Sequence, residues 1–246
     1  MTRNYKIILE YDGSDFLGWQ RQKKHRNTVQ EVLENALGKI LRCEIKITGA
    51  GRTDTGVHAY NQTANFRTAA DVGAESRFLY SLNSILPDTV TVKSISEVPA
   101  EFHSRYSAKE REYIYRMTRR EISIGRKYFF KLNYELDFKI IDEFIKIITG
   151  YNSFKSLCKN HSDKHGFFCD LRELKYVINK KESLIDFTIK SDRYLHSMVR
   201  AVIGCLVDLG RGKLSLEETV GKFQKGEKIK AAYLPANALF LNKIYY

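Results

Sequence analysis

Thr28-Val29-Gln30-Glu31-Val32-Leu33-Glu34-Asn35-Ala36-Leu37-Gly38-Lys39-Ile40-Leu41 stands between the alternating run Tyr5 to Tyr11 and the run Glu44 to Thr48. That stretch decides the fold class. Thr28 and Glu31 have the spacing of a capping box, which satisfies free backbone donors at a helix start. Val29, Val32, Leu33, Ala36, Leu37, Ile40 and Leu41 then recur at the helical period and form one apolar stripe. On either side the period changes to two: Ile7 and Leu9 fall on one face of a strand and Ile8 on the other. A helix framed by two strands is therefore expected.

The same alternation continues outward. Asn61 to Arg67 reads as a strand. A helix is expected over about 74–86, with Phe78, Leu79, Leu82 and Ile85 inward and Pro87 as its stop. Val90 to Ile95 is the next strand. Further on, Glu110 to Thr118 is strand-like. A helix over 137–149 carries Ile141, Phe144, Ile145 and Ile148 and stops at Gly150. Strands follow over 171–178 and 184–190, then a long helix over 193–209. Ser215 and Glu218 cap a short helix, and Leu239 to Ile244 is a last strand. Two halves, 1–100 and 101–246, are expected, with no spacer rich in Pro, Gly or Ser between them. The class is α+β: helices on a mostly antiparallel sheet, sharing one continuous core.

The 246 residues include 43% hydrophobic side chains, enough to bury a sizeable core. The chain has 41 Lys and Arg against 29 Asp and Glu, a formal net charge of +12. That balance favours a polyanionic partner, because each phosphate contact releases condensed counterions. No run of apolar residues is long enough to span a bilayer. The N-terminus opens directly on a strand pattern without a signal-like apolar region. A cytoplasmic protein is expected, with Cys43, Cys158, Cys169 and Cys205 as reduced thiols.

Four segments could carry chemistry. Gly49 to Ala59 gathers three glycines and two threonines around Arg52 and Asp54. Glycine lets the backbone approach a ligand closely; a plain turn with Asp54 in an Asx role is the other reading. Gly18-Trp19-Gln20-Arg21-Gln22-Lys23-Lys24-His25-Arg26 interleaves cations with the only Trp, which suits a nucleic-acid backbone and a stacked base; a solvated loop anchored by Trp19 is its alternative. Arg193, Tyr194, His196 and Arg200 fall on the expected long helix. Arg200 there lies among Met198, Val199 and Val202, so it needs a partner for its charge. Cys158, His161, His165 and Cys169 could bind zinc, but their spacing fits no common zinc motif. A polar loop is the plainer reading. No serine-triad, HExxH or dinucleotide signature is present.

Taken in order, the motifs resemble the tRNA pseudouridine synthase A family, TruA. They begin with Tyr11-Asp12-Gly13-Ser14, Gly18-Trp19-Gln20-Arg21-Gln22 and Val29-Gln30-Glu31. The most specific is Ala50-Gly51-Arg52-Thr53-Asp54-Thr55-Gly56-Val57-His58-Ala59. Phe102-His103-Ser104-Arg105-Tyr106-Ser107-Ala108, Arg111-Glu112-Tyr113-Ile114-Tyr115 and His196-Ser197-Met198-Val199-Arg200 with Gly204 follow. Pro235-Ala236 and Leu239-Phe240-Leu241 close the set.

The resemblance implies an enzyme that isomerises uridine in RNA. The N1–C1′ bond breaks, the base turns, and C5 bonds to C1′. It implies no cofactor and no metal. Asp54 falls on the family's catalytic carboxylate; whether it attacks the sugar, attacks the base or removes a sugar proton stays open. Arg200 matches the arginine paired with that carboxylate. Tyr113 matches the tyrosine stacked on the target base, and Arg52 the arginine that helps hold the base out of its stem. Arg21, Lys23, Lys24, Arg26 and His58 are expected on the RNA-binding surface. The family fold has two related halves forming one continuous sheet, with the cleft between them. The implied partner is tRNA, gripped by a homodimer at positions 38 to 40 of the anticodon arm. The same chemistry on another RNA, such as rRNA, and a non-catalytic RNA-binding module are the alternatives. The second is disfavoured because a carboxylate repels phosphate. The chain departs from the family at Ser153, at Ala238 and in the 158–169 loop, positions that bear on substrate choice more than on the chemistry.

Overall fold

The computed structural model describes residues 1–23, 27–159 and 166–246. The elements run β1 (Arg3–Tyr11), α1 (Val29–Leu41), β2 (Ile47–Gly49), β3 (His58–Thr68), α2 (Glu75–Asn83), β4 (Val90–Val98), β5 (Glu110–Thr118), β6 (Phe130–Lys131), α3 (Phe138–Ile148), β7 (Gly150–Ser153), β8 (Phe168–Asn179), β9 (Leu184–Ser191), α4 (Met198–Gly210), α5 (Leu216–Lys225) and β10 (Leu239–Tyr245). The class is α+β, with mostly antiparallel strands. Two compact units divide the chain: 1–109 with 240–246, and 110–239.

In the first unit the strand order is β4-β1-β3-β10, with β2 also on β3. β1 pairs antiparallel with β3 and with β4. The terminal strand β10 runs parallel to the start of β3, Phe240 opposite His58 and Leu241 opposite Ala59. Along β1 the period of two holds: Tyr5, Ile7, Leu9 and Tyr11 are buried, while Ile8 is only half-buried. Thr28 caps α1 by accepting from the Glu31 amide at 3.4 Å. On the Glu31 side chain, Oε2 has no hydrogen-bond partner, and Oε1 lies 3.9 Å from Arg21 Nε. Leu33 and Leu37 of α1 are wholly buried, each contributing roughly 1.5–3 kcal/mol.

The expected inward face of α2 needs one correction. Phe78 and Leu82 are buried, but Ile85 is 46% exposed and Leu86 is buried instead. The helix ends at Asn83 with Ser84 as its cap. Beyond that cap the helical phase no longer dictates which side chain turns inward.

In the second unit the order is β5-β9-β8-β7, with β6 parallel to β5. Asp137 caps α3 by accepting from the Lys139 amide at 2.9 Å. Ile141, Phe144 and Ile148 are fully buried along it. The long helix α4 starts at Met198, not at Arg193. Ser197 before it sits at φ 57, in the left-handed region, so Arg193, Tyr194 and His196 lie outside the helix. Every residue of α4 except Arg200 is buried, which makes it a core helix rather than a half-exposed one. Among the described residues, no helix is long and apolar enough to cross a membrane.

Candidate active site

The loop bearing Asp54 joins β2 to β3 and is held from several directions. Its entry is fixed where the Ala50 amide donates to the Thr63 carbonyl at 2.8 Å. Gln62 Nε2 donates to the Gly51 carbonyl at 2.9 Å. The Trp19 amide donates to the Thr53 carbonyl at 3.1 Å, and the Val57 amide closes a turn on the Asp54 carbonyl at 3.1 Å. The Tyr11 hydroxyl shares a hydrogen bond with Thr53 Oγ1 at 2.9 Å. Thr53 is buried, while its neighbours Arg52 and Asp54 are exposed and half-buried. The backbone is thus clamped at Thr53, between exposed Arg52 and half-buried Asp54.

Two glycines make that clamp possible. A Cβ at Gly13 would come within 2.1 Å of the Val57 carbonyl oxygen. Gly18 has φ +88, and a Cβ there would lie 2.6 Å from the Thr53 carbonyl oxygen. Both Tyr11-Asp12-Gly13 and Gly18-Trp19 are therefore walls for the Asp54 loop. His58 belongs to this support. It is 1% exposed, its ring stacks on Phe240 at 4.7 Å, and its Nδ1 accepts from the Gly13 amide at 3.0 Å. Asp12 Oδ1 is also 3.0 Å from that nitrogen. It already accepts from the Ser14 amide, and one nitrogen cannot both accept and donate, so the Gly13 bond is the one we assign.

A chain of amides leads from this loop to helix α1. Arg52 Nε donates to Gln20 Oε1 at 3.1 Å. Gln20 Nε2 donates to Gln30 Oε1 at 2.6 Å, and Gln30 Nε2 to Glu34 Oε1 at 2.9 Å. Arg21 pairs with the same buried Glu34 at 3.1 Å. Arg21 is thus a counterion for a buried carboxylate as well as a half-exposed cation. Lys23 is exposed; Lys24 and Arg26 lie outside the described residues.

In the second unit, Tyr113 lies on β5, 7% exposed. Tyr194 meets its ring edge-on, with centroids 5.2 Å apart and planes at 89°. The Tyr194 hydroxyl reaches the carbonyls of Ile189 at 2.9 Å and Arg111 at 3.1 Å, so Tyr194 is a fixed wall beside Tyr113. Burial pushes the Tyr194 hydroxyl well above its ordinary range, and it stays a neutral donor. Arg200, half-buried in the first turn of α4, donates from Nε to the Leu234 carbonyl at 2.6 Å.

Of the zinc candidates, only the two cysteines fall among the described residues. Cys158 and Cys169 are buried, His161 and His165 lie outside the described residues, and no group of three metal-ligating side chains occurs among those described.

Comparison with known proteins adds a decisive observation. The family model described as tRNA pseudouridine synthase matches residues 7–107 and 145–246. The chain belongs to that family. A tRNA pseudouridine synthase A from Pelodictyon phaeoclathratiforme is 38% identical over 99% of this chain and 100% of its own length. Those from Thermoanaerobacter sp. and Chlorobium limicola are each 36% identical, again over 99% of this chain and all of theirs. Within this member of the tRNA pseudouridine synthase family, sequence reasoning missed several supporting residues. The Tyr11–Thr53 hydrogen bond and the Gln20–Gln30–Glu34 chain depend on long-range placement. Only the helical spacing of Gln30 and Glu34, four residues apart, was a usable signal.

Proposed function

We propose that the chain converts uridine to pseudouridine in tRNA, with Asp54 as the catalytic carboxylate. The observation that carries this reading is the clamped loop: a chain related to tRNA pseudouridine synthases over its whole length fixes Thr53 through its carbonyl and hydroxyl, with half-buried Asp54 next to it. Isomerisation breaks N1–C1′ and makes C5–C1′; the C5 hydrogen leaves as a proton and N1 gains one, so no redox partner is required. By the family resemblance Arg200 is the arginine partner of the Asp54 carboxylate, and a guanidinium cannot lose its own proton. Tyr113 stacks on the extruded base, and Arg52 holds the space it vacated; extrusion costs a few kcal/mol, which these contacts offset. Lys23, Lys24, Arg26 and Arg21 meet phosphates. His58 acts from inside the protein by fixing the Asp12–Gly13 turn.

On the family resemblance, the site of action is the anticodon arm, positions 38 to 40, and the enzyme works in the cytoplasm as a homodimer; the formal charge of +12 suits the polyanionic substrate. Light scattering of the purified protein, alone and with tRNA, checks the dimer. The chemistry is checked by release of tritium from tRNA carrying 5-tritiated uridine in single-turnover experiments. Wild type should release it and Asp54→Asn should not, because an amide is neither an anionic nucleophile nor a base. Release by the Asn variant would sink the role of Asp54.

A further inference from the structure

The second unit contains a device that the reading above does not use. Residues 232–235 run beside α4 without regular secondary structure, yet they are fastened at Ala232, Leu234 and Pro235. The Ala232 amide donates to Asp208 Oδ2 at 3.1 Å. The Leu234 amide donates to the Arg200 carbonyl at 3.4 Å, and the Leu234 carbonyl takes Arg200 Nε at 2.6 Å. The Pro235 carbonyl accepts from the Tyr115 hydroxyl at 2.9 Å. Gly204, one turn beyond Arg200, leaves room for the segment: a Cβ there would fall 1.7 Å from the Ala232 carbonyl oxygen.

Asp208 is the unusual member. It is a 1% exposed carboxylate, and a buried charge is tolerated only when paired and hydrogen-bonded. Arg211 meets Oδ1 at 2.7 Å and Lys213 meets Oδ2 at 3.2 Å. Oδ2 is then left to hold the Ala232 amide as well. Asp208 and Arg200 lie eight residues apart on α4, a little over two turns along the helix. The segment therefore spans from a fixed charge at one end of the helix to the guanidinium at the other.

We infer that residues 232–235 are a strap that sets the guanidinium of Arg200, and that Asp208 is a positioning residue acting through it. The inference rests on the reading of Arg200 as the partner of Asp54. Holding Nε on a backbone carbonyl removes one rotational freedom from a long side chain and turns its two terminal nitrogens in one direction. A guanidinium fixed this way presents a planar fork to a carboxylate, which a lysine could not. Misplacing a catalytic group by about 1 Å can cost up to about a hundredfold in rate.

The test is a double-mutant cycle on the full-length enzyme, read by single-turnover isomerisation and by tRNA binding. Asp208→Asn keeps shape but offers one oxygen. Charged Arg211 claims it, and the new NH2 faces the Ala232 amide. Tyr115→Phe frees the other end of the strap without touching Asp208, and serves where Asp208→Asn folds poorly; melting curves establish which is usable. Each should slow the chemical step by about tenfold to a hundredfold with tRNA affinity unchanged. In an Arg200→Lys background, which lacks Nε, each should cost almost nothing more. Full-rate turnover by both single variants, losses that add in the Arg200→Lys background, or a loss confined to tRNA affinity would overturn the strap. An Arg200→Lys enzyme of wild-type rate would instead overturn the role of Arg200 itself.

Discussion

At the scale of single residues, the candidate site is a set of side chains whose freedom has been removed by neighbours. Tyr113 is fixed edge-on by Tyr194. Tyr113→Phe should bind tRNA normally because it keeps the ring, whereas Tyr113→Ala should lose binding and turnover together, stacking being worth roughly 1–3 kcal/mol per base. A fully active Ala variant, in the same single-turnover assay, would show that no base stacks there. Tyr11 supports the Asp54 loop from below and gives a pH signature. Burial pushes its hydroxyl from 10.0 up to about 12, against the hydrogen bonds from Thr53 and Gln62. Its folded-state value is raised, so its contribution is complete below pH 10 and is lost as pH rises towards 12, where the unfolded chain has released a proton that the folded chain keeps. Tyr115 and Tyr194 shift the same way, so Tyr11→Phe should lessen, not abolish, the alkaline loss of melting temperature. A variant whose loss parallels wild type would show that Tyr11 does not contribute. Which residues surround the chemistry was partly legible: Asp54, Arg52, Tyr113 and Arg200 stand in recognisable motifs. That Gly13 and Gly18 are needed because two carbonyl oxygens press against them was not, since those contacts join residues 35 to 44 positions apart in sequence.

At the scale of elements, periodicity predicted best where one period runs uninterrupted. β1 shows the faces expected, and β5 begins and ends where the pattern places it; on α1, Val29, Leu33, Ala36, Leu37 and Leu41 are buried as expected, while Val32 and Ile40 are half-buried and Glu31 and Glu34 are buried. The failures fall at boundaries where a local exception overrides the pattern. Ser197 takes a left-handed conformation that no sequence rule assigns to serine, and the expected start of the long helix moves by five residues to Met198. Ile85 follows the cap of α2 and turns outward. β6 and β7 have 2 and 4 residues, too short for a period to be visible. The cap on α1 is the Thr28 side chain. Thr28→Ala should cost about 1 kcal/mol, measured by urea unfolding, while Glu31→Gln should cost less because its Oε2 makes no hydrogen bond. A larger loss for Glu31→Gln would mean that its pairing with Arg21, at 3.9 Å, carries the helix start instead.

At the scale of the whole molecule, the formal charge of +12 predicts binding that weakens steeply with salt. Lys23→Gln should flatten the slope of log affinity against log salt by about one unit at most. Arg21→Gln should do that and also lower the melting temperature, because Glu34 loses its ion-pair partner. Unchanged slopes for both would place the phosphate track elsewhere. Charge and motif order made the class of partner readable from sequence, but not the support beneath the site, because Asp208, Tyr115 and Leu234 become neighbours only in the fold. The central claim is that Asp54 of this chain makes pseudouridine in tRNA. It is tested most directly by incubating unmodified tRNA with purified wild type and with Asp54→Asn, then locating pseudouridine by chemical labelling and mass spectrometry. The account predicts pseudouridine in the anticodon arm with wild type and none with the variant, at equal tRNA binding. Pseudouridine formed equally by both proteins, or by neither, would contradict it.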